Sequence, residues 1–412
     1  MTQPLRADSF PMISHAQAWE TIAQTVEPLP PSRVELAKAA NLVVAEDIVA
    51  RDDSPPFAAA GMDGYAVIAD DPSAVRTLVG EQEAGLRRDY SISPGFALRI
   101  MTGGALPEGA DAVLPFEQSV EHEGLLHPQF PIKPGANVRP VGQDIKAGEV
   151  AMKKGTPLGP PEIGLLASLN YSEVLVYPRP RVFVFASGNE LVRVGAPLRP
   201  GQIRDSNTLA LSAALRAAGA EPIARPDPVA DTQTAIEQAI RTGFISADMV
   251  ISTGGVSMGR RDLIKEVVSG LGEILVGRVA IKPGKPLTYA LITGKPFFGL
   301  PGFPVSSLVC FEQFVRPVLR ILAGHRLLWR PSMRIKLAQT LKHDPDRTEF
   351  QRVCVCCSGE GAVAYSTGGQ SSGRLKSLVG ANGLAVLSAG KGDYDAGEEV
   401  EVIFINLPEL RE

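Results

Sequence analysis

Between residues 180 and 323, segments typical of buried strands alternate with segments of helical periodicity. RVFVFAS (181–187) and ADMVIST (247–253) are mainly apolar and short, and each is followed by an amphipathic pattern. Strands that are apolar on both faces and alternate with helices are typical of a parallel sheet covered on both sides. The sequence therefore predicts a central, doubly wound α/β domain.

The regions on either side of this domain have a different residue pattern. From residue 51 to about 176, short alternating apolar runs lie between glycines and prolines, which predicts a β-rich region. After residue 326 the same pattern of short apolar runs between turn residues predicts a small β-barrel or sandwich. The fold class expected is therefore α/β plus β, in a chain whose 412 residues exceed what one core usually organises.

The first fifty residues predict two helices that precede a strand. Ser14 with Gln17, and Ser32 with Glu35, each have the spacing of a capping box ahead of an apolar-periodic run. A further short helix is expected from Pro160, because proline suits the first turn of a helix.

Charge and hydropathy exclude some classes of partner. The formal net charge is −4 at pH 7 and no block of basic residues is present, so we expect no nucleic-acid partner. Nowhere do eighteen uncharged apolar residues run together, and the first residues lack a cationic segment followed by an apolar one. We expect no membrane association and a cytoplasmic location.

The cysteines do not predict a metal centre. Cys354, Cys356 and Cys357 lie in RVCVCCSG, and Cys310 lies apart from them. Soft-metal ligation is one interpretation, but no histidine is near, and the alternation with valine has the period of a strand. Small apolar residues on a strand are the favoured interpretation.

A glycine-containing turn follows each of three predicted strands of the α/β domain. Because ligands of open parallel sheets sit beyond the carboxyl ends of the strands, these turns are the first candidates for binding. Glycines there allow backbone N–H groups to approach an anion, and Ser306 or Ser307 is expected to cap the next helix. The candidate substrate-binding residues of the turns are Ser187, Gly188, Thr253, Gly254, Gly255, Ser257, Gly259, Pro301, Gly302, Ser306 and Ser307.

Two lysines in KPGKP strengthen this expectation. Lys282 and Lys285 are each followed by a proline that fixes the backbone, which reduces the entropy lost when the loop is ordered. Solvated loop cations are the ordinary explanation, and an anion site is the one we favour. Glu190 and Asp262 supply carboxylates at the same edge that suit Mg²⁺, although Asp262 also suits a helix N-terminus and Glu190 could simply be exposed. Asp231 is more often a plain N-cap than a ligand.

Ordered motifs along nearly the whole chain resemble the MoeA-like molybdopterin molybdenumtransferase family, to which the gephyrin E-domain belongs. The motifs are MDGYAV (62–67), IMTGGALPEGADAV (100–113), NVRPVGQDIKAGE (137–149), DMVISTGGVSMGRRD (248–262), AIKPGKP (280–286), GLPGFPVSSLV (299–309) and TEFQRV (348–353), with the tail that follows.

The resemblance implies an elongated four-domain homodimer. The domains expected are a linker and dimerisation domain (1–54 and 141–179), a β-rich lid (55–140), the α/β molybdopterin-binding domain (180–326) and a C-terminal β domain (327–412). The implied reaction takes adenylylated molybdopterin and molybdate, hydrolyses the phosphoanhydride with Mg²⁺ or another divalent cation, releases AMP and leaves molybdenum on the dithiolene sulfurs. A molybdopterin adenylyltransferase and molybdoenzyme-specific chaperones are further expected partners.

The resemblance also assigns roles to residues at matching motif positions. The catalytic set implied is Asp63, Thr102, Glu190, Lys282 and Lys285. Substrate contacts are added by Arg139, Arg352 and Ser371, and the metal candidates are Glu190, Asp231, Asp262 and Asp144.

The chain departs from the family pattern at three places. Asn189 stands where the family usually has aspartate, Phe303 stands where it has asparagine in Pro-Gly-Asn-Pro, and Ala58–Ala60 replace an Asp-Asn-Ser triplet. Two alternatives therefore stay open: a non-catalytic paralogue or scaffold that binds molybdopterin or a protein partner, and a molybdopterin adenylyltransferase. The retained carboxylates and lysines favour the enzyme, and the β-rich domains argue against the adenylyltransferase.

Overall fold

The computed structural model describes residues 10–85, 88–255, 262–359 and 361–410. Its contacts divide the chain into two compact units. Unit 1 consists of the described parts of Met1–Ser32, Asn41–Val43 and Val176–Glu412, and unit 2 of Arg33–Ala40 and Val44–Leu175.

The first helix, α1 (His15–Ala23), is the one that the sequence predicts. The Ser14 hydroxyl accepts the Gln17 N–H at 3.1 Å, and the Gln17 side chain accepts the Ser14 N–H at 2.9 Å. The predicted capping box is therefore confirmed.

Unit 2 is built mainly from short strands. The elements that lie wholly or partly in it are β1 (Ser32–Glu35), β2 (Val43–Val44), β3 (Ile48–Val49), β4 (Ala59–Ala60), β5 (Gly64–Val67), β6 (Arg76–Gln82), β7 (Phe96–Ile100), β8 (Ala112–Pro115), β9 (Ser119–His122), β10 (Leu125–Pro128), β11 (Val138–Arg139), β12 (Val150–Met152), α2 (Pro160–Ser168) and β13 (Glu173–Tyr177), with 3-10 turns at Leu36–Lys38 and Phe116–Gln118. The helix predicted from Pro160 is confirmed as α2. The strands β8, β5, β7, β6, β10 and β9 form one mixed sheet in that order.

The second predicted helix, from Ser32, is wrong. Residues 32–35 form β1, which pairs with β13, and only a single 3-10 turn follows. Glu35 does not complete a capping box, since its carboxylate contacts Lys38 Nζ at 2.9 Å. Pairing with a strand about 140 residues away outweighs the local helical pattern, as tertiary contacts often do.

The remaining elements belong to unit 1. They are β14 (Arg181–Ala186), β15 (Leu191–Val192), β16 (Ile203–Arg204), α3 (Asn207–Ala217), β17 (Glu221–Ala224), α4 (Gln233–Ser246), β18 (Met249–Thr253), α5 (Leu263–Leu271), β19 (Glu273–Val276), β20 (Ile281–Lys282), β21 (Thr288–Ile292), β22 (Lys295–Leu300), α6 (Pro304–Cys310), α7 (Arg316–Leu322), β23 (Ser332–Leu337), β24 (Thr348–Ser358), β25 (Gly361–Ser366), β26 (Gly383–Leu387), β27 (Glu399–Phe404) and β28 (Glu409–Leu410), with a π-helical segment at Phe311–Val315 and a 3-10 turn at Leu375–Ser377.

A six-stranded sheet with the order β17-β14-β18-β22-β21-β19 forms the centre of unit 1. The first four strands are parallel and the last two are antiparallel. Leu211 of α3 and Val305 of α6 pack in one buried cluster, and Ile240 of α4 and Ile264 of α5 pack in another. The doubly wound α/β domain predicted from the sequence is confirmed.

Two helix starts differ from what the sequence predicts, which is a cap by Ser206 or Asn207 for α3 and by Ser306 or Ser307 for α6. Ser206 precedes α3 but makes no side-chain cap, and the Thr208 N–H is instead accepted by the buried Asp205 carboxylate at 3.0 Å. Ser306 and Ser307 lie inside α6 and do not cap it. Pro304 occupies the first turn of α6, because its fixed φ suits that position, and the serines follow it.

The C-terminal strands form a closed barrel in the order β24-β25-β23-β27-β26, with β26 pairing back to β24. This is one of the two architectures predicted. The cysteines Cys354, Cys356 and Cys357 lie on β24, as their alternation predicts. The short strand β20 adds to β24 in parallel, with Lys282 opposite Glu349, and so connects the KPGKP loop to the barrel.

None of the helices in the described residues has the length and apolarity that a membrane crossing needs.

Candidate functional site

A cleft of about 830 Å³ lies beyond the strand ends of the α/β sheet, within unit 1. The turns after β14, β18 and β22 line it, as does the KPGKP loop, and residues 370–372 beside the barrel complete it. The lining residues that the sequence singled out are Ser187, Glu190, Thr253, Gly254, Gly255, Lys282, Lys285, Pro301, Gly302, Ser306 and Ser371. The predicted meeting of the turns with both lysines is therefore present.

The KPGKP loop is held by backbone contacts and by α6. Gly284 has a φ of +126°, and a Cβ there would lie 2.6 Å from Cys310 Sγ and 2.7 Å from Ile281 Cδ1. The Val279 N–H donates to the Lys285 carbonyl at 3.0 Å. Only glycine fits this conformation and this spacing, so the loop presents its two lysines from a tightly packed backbone.

Asn207 at the start of α3 ties two of the turns together. Its Nδ2 donates to Thr253 Oγ1 and to the Gly302 carbonyl, both at 2.8 Å. Ser307 Oγ donates to the Pro301 carbonyl in the same network. Sequence reasoning missed Asn207 as a functional residue, and the available signal was its position at the predicted start of α3, at the edge where the other turns end.

The Ser187 hydroxyl, in the turn after β14, lies against the glycine turn that follows β18. Gly254 and Gly255 have φ angles of +88° and +66°, and a Cβ on Gly255 would lie 2.8 Å from Ser187 Oγ. That hydroxyl is buried and has no hydrogen-bond partner among the described residues. A buried polar atom without a partner costs free energy, so it is a donor available to a ligand.

Lys282 is part of a chain of three polar side chains. Its Nζ donates to Glu349 Oε2 at 3.3 Å, and the same oxygen lies 3.0 Å from His343 Nδ1. His343 Nε2 lies 3.2 Å from the Ser388 carbonyl. The side chains of His343 and Glu349 are 0% and 2% exposed, whereas that of Lys282 is 41% exposed. The buried pair therefore anchors an ammonium group that stays accessible at the cleft.

Glu190 and Asp231 approach each other beside the cleft. The Asp231 N–H donates to Asn189 Oδ1 at 3.1 Å, so the family departure at Asn189 supports the loop that carries Asp231. Burial, and then the negative charge of Glu190, raise the pKa of Asp231. Asp231 Oδ1 is buried without a hydrogen-bond partner among the described residues. Asp231 does not cap α4, since Thr232 accepts the Ala235 N–H.

Asp262 is already neutralised by a lysine. Its Oδ2 accepts from Lys265 Nζ at 2.8 Å, and both side chains are 0% exposed. Its Oδ1 accepts the Lys265 N–H at 3.1 Å and caps α5. The helix-start interpretation of Asp262 is therefore confirmed, and its predicted metal role would require that ion pair to open. In the parts of the chain that the structure describes, no three His, Cys, Asp or Glu side chains are grouped to hold a metal ion.

Arg352 is buried below the cleft. Its side chain is among the largest that are fully buried, and burial lowers its pKa to about 10. It donates to the Ser377 hydroxyl at 3.2 Å and to the Ser371 carbonyl at 3.4 Å. In this conformation Arg352 therefore holds the loop that carries Ser371, and Ser371 itself lines the cleft.

The remaining catalytic candidates lie in unit 2. Asp63 directly precedes β5 and Thr102 follows β7, and the pairing of Gly64 with Ile100 brings the two turns together. Asp63 Oδ1 accepts the Thr102 N–H at 2.6 Å and the Thr102 hydroxyl at 2.7 Å. These two hydrogen bonds, the backbone one first, lower the pKa of Asp63.

Arg139 and Asp144 are exposed residues of unit 2. Arg139 Nε contacts Gln143 Oε1 at 3.4 Å, and the Asp144 N–H donates to the Ser54 carbonyl at 2.9 Å. Neither contact tests a role in binding. Ser257 and Gly259, also predicted to bind substrate, lie outside the described residues.

Three family patterns match consecutive parts of the chain. The MoeA N-terminal region (domain I and II) matches residues 13–170, the probable molybdopterin binding domain matches 183–321, and the MoeA C-terminal region (domain IV) matches 334–405. A molybdopterin molybdenumtransferase from Haemophilus influenzae is 36% identical over 389 residues, which are 92% of this chain and 96% of that protein. The chain belongs to the MoeA family of molybdopterin molybdenumtransferases. A relative of the same name from a Nostoc species is 36% identical over 384 residues, which are 90% of this chain and 88% of that protein.

A solved structure supports the same assignment of fold. The molybdopterin biosynthesis MoeA protein from Pyrococcus horikoshii superposes with a TM-score of 0.83 at 32% identity, and the match covers 96% of this chain and 99% of that one. The MoeA fold therefore extends over nearly the whole chain.

Proposed function

We propose that this protein, a member of a family of enzymes, inserts molybdenum into molybdopterin during molybdenum cofactor biosynthesis. The substrate proposed is adenylylated molybdopterin together with molybdate. Hydrolysis breaks the phosphoanhydride P–O bond, water supplies the new oxygen on phosphorus, and AMP and the pterin phosphate separate. As both dithiolene sulfurs bind molybdenum, one oxygen of molybdate leaves as water with the two thiol protons.

The observation that carries this proposal is the shared cleft of unit 1. It combines Lys282, Lys285, two positive-φ glycines and the unpartnered Ser187 hydroxyl. Cations and preformed hydrogen-bond donors stabilise negative charge that develops on transferring oxyanions, because they are already oriented before the reaction. A substrate with phosphate groups, joined by an oxyanion such as molybdate, matches this chemistry.

A divalent cation fits part of the predicted carboxylate set. The orphaned Oδ1 of Asp231 and the nearby charge of Glu190 are oxygen donors that suit Mg²⁺, whereas Asp262 is occupied by Lys265. We propose that Glu190 and Asp231 hold such a cation, which would neutralise phosphate charge when bound.

The residues of the chain itself have separable tasks in this proposal. Lys285 and Lys282 hold the phosphate or molybdate oxygens, and Glu349 keeps Lys282 at the cleft. Asn207 fixes the turns at Thr253 and Gly302 relative to each other, so the N–H groups of those turns stay in register. We retain Asp63 and Thr102 as proposed catalytic residues, with the Asp63 carboxylate oriented by its two hydrogen bonds from Thr102.

A homodimer, the four-domain division, a cytoplasmic location and contacts with an adenylyltransferase or molybdoenzyme chaperones remain proposals from the resemblance. Asn189 does not line the cleft, and its side-chain oxygen instead accepts the Asp231 N–H. Ala59 and Ala60 form β4 of unit 2.

The test is turnover by the purified protein with adenylylated molybdopterin, Mg²⁺ and molybdate. We expect molybdate-dependent AMP release and molybdenum-bearing pterin, measured by chromatography and mass spectrometry. Lys285→Ala should lower the rate by about a hundredfold, as loss of one oriented charge-stabilising donor does. Lys336→Ala, on an exposed barrel position, is the matched control and should leave the rate unchanged. An inactive wild type would favour the non-catalytic scaffold, whereas full activity in Lys285→Ala would contradict the role proposed for Lys285.

A further inference from the structure

The aromatic side chain of Phe303 is exposed in the wall of the cleft. It is 62% exposed and lines the cleft between Gly302 and Pro304. Single exposed apolar residues are common on protein surfaces and by themselves indicate nothing. Phe303 differs because it lies in a concave site that also holds Lys282 and Lys285.

At the position of Phe303, a residue whose side chain caps the helix would make the helix more stable. Phe303 is the N-cap of α6 and makes no side-chain cap. Asparagine, aspartate or serine at an N-cap stabilises a helix relative to a residue that cannot cap. The chain gives up this stabilisation and exposes an apolar ring, so helix stability does not explain the residue.

The backbone on both sides of the ring is fixed. The Gly302 carbonyl accepts from Asn207 Nδ2 at 2.8 Å, and the Phe303 carbonyl accepts the Ser307 N–H at 3.0 Å. A Cβ on Gly373 would lie 3.5 Å from Phe303 Cδ1, so the ring lies over a residue that has no side chain to cover it. The backbone that carries the ring is therefore fixed, and the ring is an exposed flat surface in the lining of the cleft.

We propose that Phe303 is a specificity-determining residue that stacks on the planar nitrogen heterocycle of a phosphate-bearing substrate. The inference rests on the proposed function, and it adds how the ring system of the substrate is recognised. The lysines of the same cleft bind the phosphate part, and Phe303 binds the flat part. Both the adenine and the pterin of the proposed substrate have this chemistry, and the test distinguishes them.

The test measures dissociation constants by calorimetry for AMP, a pterin monophosphate and ribose 5-phosphate, which has the phosphate but no heterocycle. In Phe303→Asn, affinity for AMP or for the pterin monophosphate should fall about five- to hundredfold, the range of single base-stacking contacts, with ribose 5-phosphate unchanged. The heterocycle whose affinity falls is the one that stacks. Phe303→Trp should retain the wild-type affinity.

Two comparisons separate stacking from a structural effect. Phe303→Asn should melt at or above the wild-type temperature, because asparagine can cap α6. Leu327→Asn, a loop residue that is 78% exposed and does not line the cleft, should leave all three affinities unchanged.

Equal losses for all three probes would overturn the proposal, since the ring would then act through the shape of the turn. Unchanged affinities in Phe303→Asn, or a wild type that binds none of the probes at millimolar concentration, would overturn it too. The molybdenum transfer assay judges the proposed function separately, so a failure of stacking and a failure of the function are distinguishable.

Discussion

Replacing Glu349 by glutamine should destabilise unit 1, because one oxygen of Glu349 serves two partners. Oε2 lies 3.3 Å from Lys282 Nζ and 3.0 Å from His343 Nδ1. His343 Nε2 faces the Ser388 carbonyl, an acceptor, so Nε2 must carry a proton. The hydrogen bond between Nδ1 and Oε2 then holds the buried pair together.

A glutamine cannot satisfy both partners from that position. Its NH₂ group can donate to neutral His343 but repels the Lys282 ammonium, and its oxygen can accept from Lys282 but opposes the lone pair of neutral His343. A hydrogen bond to a charged group contributes about 1.5–3 kcal/mol, and we expect a loss of about 1.5 kcal/mol because the Lys282 ammonium can be rehydrated.

Tryptophan fluorescence during urea unfolding measures this loss in the correct part of the molecule. The sequence contains two tryptophans, Trp19 and Trp329. Both belong to unit 1, and their ring centroids are 4.7 Å apart. The matched control is Glu399→Gln, whose carboxylate lies 3.7 Å from Arg334 in an exposed pair, and it should change stability by less than about 0.5 kcal/mol. A Glu349→Gln midpoint equal to that of the control, with an unchanged slope, would refute the reasoning.

Two further predictions concern titratable groups. Burial, reinforced by neighbouring arginines, lowers the pKa of His325 to about 4, so the folded state binds fewer protons than the unfolded state between pH 4 and 6.5. The contribution of His325 to the free energy of unfolding should be complete above pH 6.5 and decline as the pH falls through this window. His325→Gln should flatten that decline in thermal melts, and an unaltered pH profile would contradict the assignment. In Thr102→Val the backbone N–H to Asp63 remains but the hydroxyl donor is lost, so the Asp63 pKa should rise towards its ordinary value. Carbon-detected NMR titration of the carboxyl group checks this, and a pKa equal to that of the wild type would show that the hydroxyl contributes nothing.

The fold of the α/β domain could be predicted because its signals are local. Buried strands such as 181–186 are recognised in the sequence as apolar runs. Parallel strands place the turns that follow them at one edge of the sheet, independently of the other domains. The meeting of the Thr253 and Pro301 turns follows from this rule. The prediction of a second helix was wrong for the opposite reason, because residues 32–35 become a strand through pairing with β13, a distant segment.

The supporting contacts of the site could not be predicted from local pattern. Lys282 meets Glu349 because β20 joins β24 of the barrel in one register, and 67 residues separate the two side chains. Asp205 caps α3 in place of Ser206 or Asn207, the two residues predicted, because its carboxylate reaches the Thr208 N–H. Such contacts depend on how the domains of unit 1 pack, and the local pattern of a single sequence does not determine that packing.

The central claim is that the cleft binds its substrate through the charges of Lys282 and Lys285. Its most direct test is the dissociation constant for adenylylated molybdopterin without molybdate, measured over a range of salt concentrations. We predict that Lys282→Ala/Lys285→Ala weakens binding at least about tenfold at low salt and flattens the salt dependence, while Lys336→Ala matches the wild type. Wild-type affinity and salt dependence in the double variant would contradict the account.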